Sequence, residues 1–181
     1  MKIKEVIEEG KVLVISDLHY PYCDVEEVRG VVRRESPSLV VMLGDAVEDS
    51  RGFDTLKSSL GKVVHVNGDE DVIEGDVDVL SVSSRGRKFT LLHGHQLMNE
   101  DGEKLLAKFL MKVNSKIPPL LFCLGFRVKM DGFLVLGHSH ALVTFPSLQC
   151  MNAGTMSRKK NLYNDRGYVV IEKGEARAVR L

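Results

Sequence analysis

Short apolar runs rich in β-branched residues recur along the chain and predict its β-strands. The predicted strands cover residues 12–16, 39–43, 62–66, 78–82, 88–92, 133–137, 141–145, 148–151, 167–172 and 175–181. Longer segments with apolar residues at helical spacing predict helices over residues 24–35, 50–60 and 102–113. Strand and helix alternate in the first half, which favours parallel pairing, whereas consecutive strands in the second half favour antiparallel pairing. The pattern therefore predicts an α/β fold in which two sheets of mixed strand direction pack face to face between flanking helices.

Polar clusters rich in aspartate and histidine follow five of the predicted strands. They are Asp17-Leu18-His19, Gly44-Asp45, Gly68-Asp69-Glu70-Asp71, His93-Gly94-His95 and Gly137-His138-Ser139-His140. Loops beyond the strand ends of a layered α/β fold form its ligand crevice, so we expect these clusters to meet there. Carboxylate and imidazole together suit divalent ions such as Mn, Fe, Ni, Co and Zn. Two such ions about 3.5–4 Å apart can activate one bridging water for attack on phosphorus.

The clusters contain enough side chains to hold two metal ions if one carboxylate is shared. The candidate metal ligands are Asp17, His19, Asp45, Asp69, His93, His138 and His140. A single aspartate after a strand is more often a helix cap or a turn residue, and His65 lies within a predicted strand, where a hydrogen-bonded role is expected. The ordered recurrence of ligand residues at strand ends favours a metal site over such separate structural roles.

The order of these motifs resembles that of the calcineurin-like metallophosphoesterase superfamily, whose pattern is Asp-x-His, Gly-Asp, Gly-Asn-His-Asp, His and Gly-His-x-His. Within it, the chain is most similar to the subfamily of small microbial phosphodiesterases and the vacuolar-sorting "29" subunit of retromer. The matching stretches are residues 16–21, 64–71, 91–96, 137–140 and 151–155, and the likeness spans about residues 11–156. The resemblance implies the αββα sandwich of that family.

The resemblance also implies a ligand set and an activity. Asp17, His19 and His140 would hold the first metal, and Asp69, His93 and His138 the second, with Asp45 bridging. Manganese is the first expectation for the two divalent ions, with nickel, cobalt, iron or zinc as alternatives. The implied activity is hydrolysis of a phosphate-ester substrate by a metal-bridging hydroxide. A diester is favoured because its lower negative charge is repelled less by Asp69 and Glu70.

Residues 67–71 depart from the family pattern. Asp69 takes the place of the family's asparagine ligand, although Asn67 is an alternative ligand in a different register. Glu70 stands where the family has a histidine, and it is a candidate catalytic residue even though a carboxyl group with a pKa near ~4.3 is a poor proton donor at neutral pH. Asp71 aligns with the family's aspartate, and we expect it to fix the loop rather than to bind metal.

Composition and charge indicate which partners and which cellular location the sequence favours. Lys plus Arg and Asp plus Glu number 25 each, so the global charge indicates neither a nucleic-acid surface nor attraction to an anionic membrane. The three cysteines are irregularly spaced, which predicts reduced thiols and a cytoplasmic location. The charged first ten residues argue against a signal peptide, and no apolar run approaches the ~20 residues of a membrane span. We expect one domain over residues 1–181 with an insertion at about 100–130.

The family likeness fades over that insertion. The predicted helix 102–113 has an apolar stripe, and residues 117–126 are almost entirely apolar and contain Pro118-Pro119. The first interpretation is a helix packed on a sheet and followed by a buried connector. The alternatives are a lid over the metal site, a homo-oligomer or protein-partner contact through residues 105–126, and a basic amphipathic surface on a membrane.

Two classes of function are compatible with this sequence. The first is a dimetal-dependent phosphodiesterase, and the alternative is a non-catalytic protein-binding scaffold of the same fold. The presence of a competent ligand at every one of the seven metal positions favours the enzyme.

Overall fold

The computed structural model describes residues 1–95 and 114–181, which form eleven strands and three α-helices. In chain order the elements are β1 Ile3–Ile7, β2 Val12–Ile15, α1 Val25–Glu35, β3 Leu39–Leu43, α2 Phe53–Ser59, β4 Val63–Val66, β5 Val79–Ser84, β6 Arg87–Leu92, α3 Ile117–Arg127, β7 Phe133–Leu136, β8 Leu142–Phe145, a 3₁₀ turn Pro146–Leu148, β9 Cys150–Ala153, β10 Gly167–Glu172 and β11 Glu175–Arg180. The predicted helix 102–113 lies outside the described residues.

The strands form two mixed sheets. One has six strands in the order β1-β5-β6-β7-β9-β8, and the other has five in the order β11-β10-β2-β3-β4. The pairs β2–β3, β3–β4, β6–β7 and β7–β9 are parallel. Antiparallel pairs include β10–β2, β10–β11, β5–β6 and β8–β9. Parallel strands carry their carboxyl ends to the same edge of a sheet, which is where the polar clusters begin.

Three apolar layers hold the two sheets and the helices together. The central layer joins the facing sides of the sheets through side chains such as Val14, Val41 and Leu91. A second layer packs α1 and α2 on the outer face of the five-stranded sheet. In the third layer, Phe126 of α3 packs against Leu134 on the outer face of the six-stranded sheet. This arrangement confirms the predicted sandwich with flanking helices.

Two elements differ from the prediction. Residues 117–127 form α3 rather than a connector, because Pro118 and Pro119 lie in the first turn, where no intrahelical N–H donor is required. The strand β1 was not predicted, since the consecutive charged residues Lys4 and Glu5 interrupt its apolar residues, and it lies largely exposed at a sheet edge. Among the described residues, no helix has the length and apolar character needed to cross a membrane.

The prediction of three reduced thiols was wrong. Cys123 of α3 and Cys150 of β9 form a disulfide, while Cys23 is a buried free thiol. The two partners are 27 residues apart, and only the packing of α3 on the sheet brings them together. Sequence spacing alone does not reveal such a pairing.

Candidate metal centre

The five polar clusters leave the carboxyl ends of strands from both sheets. Asp17 and His19 follow β2, Asp45 follows β3, and the loop with Asp69 follows β4. On the other sheet, one cluster follows β6 and another follows β7. The two edges face each other across the sandwich, so their side chains converge in one crevice.

Within this crevice the seven candidate ligands fall into two groups whose donor atoms lie within 4.8 Å of one another. The first group is Asp17, His19 and His140, and the second is Asp45, Asp69, His93 and His138. Asp45 also forms a third such group with His19 and Glu70, so its carboxylate reaches both sets. His95 belongs to neither set, and its ring lies 5.7 Å from that of His93.

Acceptors behind the rings fix which nitrogen of each histidine faces the centre. The Nδ1–H of His19 donates to Glu48 Oε1 at 2.7 Å, and that of His140 donates to the carbonyl of Lys160 at 3.0 Å. The Nδ1–H of His93 donates to the carbonyl of Leu43 at 2.9 Å. Each bond leaves Nε2 as the electron-pair donor on the inner side, as in histidines that ligate metals.

The inner nitrogens face one another and the carboxylates. Nε2 of His19 lies 3.4 Å from Nε2 of His140, and Nε2 of His93 lies 3.2 Å from Nδ1 of His138 and 3.1 Å from Asp69 Oδ1. Electron-pair donors that point at each other repel unless a proton or a cation lies between them. The set therefore fits a pair of divalent cations.

The Asp17 carboxylate supports the same interpretation. Its Oδ2 accepts from the Ser16 hydroxyl and from the backbone N–H of His138, whereas its fully buried Oδ1 accepts no hydrogen bond among the described residues. Nε2 of His140 lies 3.3 Å from Oδ1. A buried carboxylate oxygen without a donor is costly, and a metal ion would satisfy it.

Opposite charges in the centre shift the pKa values of its acids. Burial, the largest single influence, raises the pKa of Asp17, but His140 and other neighbours outweigh it, so the pKa lies below its usual range. In the same way, burial raises the pKa of Asp69, and hydrogen bonds from His138 and His93 lower it further than burial raises it.

The pKa values of two histidines are raised by the same charges. Burial lowers the pKa of His93, yet Asp45 and Asp69 raise it well above its ordinary value. Burial also lowers the pKa of His140, and Asp17 more than reverses this effect. The carboxylates thus create a negative potential in which a bound cation is stabilised.

The backbone is folded tightly around the ligands. Five of them have φ between 46° and 60°, in the left-handed region: Asp17, His19, Asp45, His138 and His140. Such conformations cost residues with a Cβ about 1–3 kcal/mol each and cluster at functional sites. They persist here because neighbouring loops hold them, for example through the bond from His19 N–H to the carbonyl of Asp45 at 2.8 Å.

Two glycines allow the strand-end loops to approach. Gly44 has φ +77°, and a Cβ there would overlap the ring of His93. A Cβ on Gly68 would overlap the backbone nitrogen and the carboxylate of Asp45. Both glycines are therefore needed for close packing of the candidate ligands, and Gly44 also for its left-handed φ.

Asp71 lies behind the ligands and ties two loops together. Its Oδ1 accepts the N–H groups of Ala46 and Val47 at 2.7 and 2.9 Å, and its Oδ2 accepts that of Gly68 at 2.8 Å and contacts His65 Nε2 at 3.0 Å. His65 is buried and bonded to this carboxylate. The side chain of Asp71 thus fixes the loop that carries Asp45 against the loop that carries Asp69.

The structure places Asp69 and Asn67, the alternative ligands of the two registers, in different surroundings. Asp69 lies among the other candidate ligands, with its Oδ1 at 3.0 Å from His138 Nδ1. Asn67 instead donates to Asp78 Oδ1 at 2.7 Å and accepts from the N–H of Gly75. The amide of Asn67 is thus occupied away from the ligand groups.

A charged rim adjoins the first ligand group. Glu70 is partly exposed, and its Oε2 lies 3.7 Å from Nδ1 of His19 and 2.6 Å from Nζ of Lys160. The same ammonium lies 2.5 Å from Glu48 Oε1. Burial lowers the pKa of Lys160, but Glu48 and Glu70 raise it to a net value above the ordinary one.

The profile of the calcineurin-like phosphoesterase superfamily domain matches residues 11–176 of the chain. The chain belongs to this superfamily. Membership confirms the resemblance drawn from the motifs, including the αββα sandwich. A search of curated proteins gives no significant match.

Several solved structures share the fold. Vps29 from Entamoeba histolytica is 18% identical with a TM-score of 0.58, covering 94% of this chain and 98% of that one. An archaeal phosphodiesterase is 17% identical with a TM-score of 0.58, covering 94% and 99%. The phosphoesterase YfcE from E. coli is 19% identical with a TM-score of 0.54, covering 90% and 88%. At these identities the likeness shows the fold alone.

Sequence analysis missed the residues that support the ligands from outside. Glu48, Lys160 and Ser16 are not among the predicted ligands. Glu48 and Lys160 contact the centre through tertiary packing, whereas Ser16 donates to the adjacent Asp17. Ser16 and Glu48 lie close in sequence to Asp17 and Asp45, and this proximity could have indicated their roles. Lys160 lies 20 residues after His140, and only the fold reveals that the two residues are in contact.

Proposed function

We propose that this protein is a dimetal-dependent phosphodiesterase. One observation carries the proposal: all seven candidate ligands converge in two groups, and the carboxylate of Asp45 reaches both. Asp17, His19 and His140 would hold one ion and Asp69, His93 and His138 the other, with Asp45 shared. Manganese is the first candidate for both ions.

Divalent ions bound there would supply Lewis acidity and an activated water for attack on phosphorus. The chain contributes the arrangement of the ligands. Glu48, the carbonyl of Lys160 and the carbonyl of Leu43 orient three ligand histidines, so that little reorganisation is needed when substrate binds. The carboxylates of Glu48 and Glu70 at the rim repel a dianionic monoester more than a monoanionic diester.

A second candidate function is a non-catalytic protein-binding scaffold. The outer side of α3 favours it, because Leu121, Leu124 and Val128 are 46%, 43% and 87% exposed. Exposed apolar residues at this spacing on one helix suit contact with a protein partner or a second copy of the chain. The loss of the family's histidine at position 70 is compatible with the same alternative.

An ester hydrolysis assay separates these candidates. We expect hydrolysis of bis(p-nitrophenyl) phosphate after loading with Mn²⁺, Ni²⁺, Co²⁺, Zn²⁺ or Mg²⁺ in turn, with the highest kcat/KM for a transition metal. The monoester p-nitrophenyl phosphate should react with a lower kcat/KM under every condition. Asp45→Ala should reduce diester hydrolysis by at least ~10³-fold, because its carboxylate belongs to both ligand sets.

The matched control is Asp54→Ala, which removes an exposed carboxylate in the first turn of α2 and should retain full activity. Absence of hydrolysis with every metal would contradict the enzyme proposal and favour the scaffold. Equal rates for wild type and Asp45→Ala would mean that the activity does not arise at this centre.

A further inference from the structure

Lys160 connects both histidines of the first ligand group although it lies beyond the family motifs. Its backbone carbonyl accepts Nδ1–H of His140 at 3.0 Å. Its ammonium contacts Glu48 at 2.5 Å, and Glu48 accepts Nδ1–H of His19. The carboxylate of Glu48 therefore links the side chain of Lys160 to the candidate ligand His19.

The ammonium retains capacity for another partner. Lysine carries three N–H donors, and the carboxylates of Glu48 and Glu70 account for two of them. Over residues 1–95 and 114–181 no third acceptor contacts Nζ, and the side chain is 38% exposed. A donor is thus available to an anion that enters the rim from solvent.

Two carboxylates and the ammonium of Lys160 form the charged rim beside His19. Glu48 and Glu70 place two carboxylates beside His19, and an anionic phosphate ester would meet both. Lys160 is the cation that contacts both carboxylates and offsets part of their charge. The family's histidine is absent at position 70, so the nearby positive charge comes from a different loop.

We propose that Lys160 forms a phosphate-binding subsite in which its ammonium donates a hydrogen bond to a non-bridging oxygen of the substrate. This inference rests on the proposed function, because it places the phosphate ester in the same crevice. Glu48 and Glu70 hold the ammonium in place, while its positive charge reduces the repulsion between the rim and the ester. Lys160 is then a determinant of substrate affinity rather than a ligand of the metals.

Three variants test the subsite in metal-loaded protein. Lys160→Met removes the charge and keeps the length of the side chain, and Lys160→Arg keeps the charge. Lys159→Met is the matched control, since the neighbouring Nζ of Lys159 lies 5.3 Å from the ring centre of Tyr22 instead of on the acidic rim. The measurements are metal content, kcat and KM for bis(p-nitrophenyl) phosphate, and the Kd of inorganic phosphate by calorimetry.

We expect Lys160→Met to lower kcat/KM and weaken phosphate binding by about 10- to 100-fold, mainly through KM, with metal content unchanged. Lys160→Arg should stay within ~3-fold of wild type, and Lys159→Met should match wild type. Parallel loss of metal and activity in Lys160→Met would overturn the subsite, because Lys160 would then act only by supporting the ligands. Unchanged phosphate affinity in metal-loaded Lys160→Met would overturn it as well.

The calorimetric arm separates this inference from the proposed function. If the metal-loaded wild type hydrolyses no ester, the enzyme proposal fails while the phosphate Kd values still test Lys160. If wild type hydrolyses the diester and Lys160→Met does so equally well, the enzyme proposal stands and the subsite fails.

Discussion

Two of the candidate ligand side chains are oriented by residues that do not belong to the two ligand groups. Glu48 orients His19, and the carbonyl of Lys160 orients His140. Asp71 supports the centre indirectly, because its carboxylate joins the loops that carry Asp45 and Asp69. Removing a ligand and removing a supporting residue should therefore have different effects on the free protein.

At the residue scale we predict that Asp71→Ala destabilises chelator-treated protein more than Asp45→Ala does. Asp71→Ala leaves the backbone N–H groups of buried Ala46 and Val47 and of half-buried Gly68 without their acceptor, so the free energy of unfolding should fall by about 3 kcal/mol. Asp45→Ala loses the bond from the N–H of Glu70 and the contact with Nε2 of His93 at 3.4 Å, but it relieves repulsion among carboxylates, so the fall should be only about 1 kcal/mol. Urea denaturation measures both values.

Asp54→Ala provides the reference for an exposed aspartate in that experiment. Equal destabilisation by Asp71→Ala and Asp45→Ala would show that Asp71 does not tie the loops together. A larger fall for Asp45→Ala would reverse the roles assigned to the two carboxylates.

The convergence of the candidate ligands could be predicted from the sequence because each follows an apolar strand within a few residues. Their supporting partners could not be predicted in the same way. Lys160 reaches His140 through a loop, and Asp71 binds N–H groups about 25 residues earlier in the chain. Such contacts depend on how the loops fold over one another, and local pattern carries little information about that.

At the scale of elements, α3 contacts the loop that follows β7 and carries His138. The ring of Phe122 lies 5.7 Å from that of His138, and the carbonyl of Pro119 accepts from Asn152 Nδ2 at 3.3 Å. Asn152 in turn accepts from the hydroxyl of Ser139 at 2.8 Å. The disulfide between Cys123 and Cys150 fastens α3 beside this network.

We predict that this disulfide stabilises the native state by about 3–4 kcal/mol, the amount expected from chain entropy for partners 27 residues apart. Dithiothreitol should lower the Tm of wild type and of Cys23→Ala, but not that of the double variant Cys123→Ala/Cys150→Ala. Cys23→Ala is the control because Cys23 is the buried free thiol. Three free thiols on titration of the unreduced, denatured wild type would contradict the pairing.

Helix α3 also shows where element prediction from sequence is limited. A double proline is typical of rigid loops, yet Pro118 and Pro119 begin a helix because the first turn does not use their missing N–H groups. Strand β1 presents the opposite difficulty, since its charged residues obscure a strand that pairs with β5 at a sheet edge. The prolines are thus ambiguous at the local level, whereas tertiary pairing decides the structure of β1.

For the whole molecule, the alternation of strands and helices was enough to predict two mixed sheets between helices. Runs of predominantly apolar residues predicted the parallel strands β3 and β7 because both lie inside the sandwich. The order of strands within each sheet did not follow from the pattern, since β1 pairs with β5 and β10 with β2 across long stretches of chain. This order brings the ligand clusters of both sheets to one crevice.

The central claim is that this crevice holds two metal ions that share Asp45. Anomalous diffraction from crystals grown with Mn²⁺ tests it most directly, because the scattering locates each ion independently of activity. We predict two peaks per chain, one coordinated by Asp17, His19 and His140 and the other by Asp69, His93 and His138, with Asp45 contacting both. A single peak, or an ion bound while either histidine pair points away from it, would contradict the account.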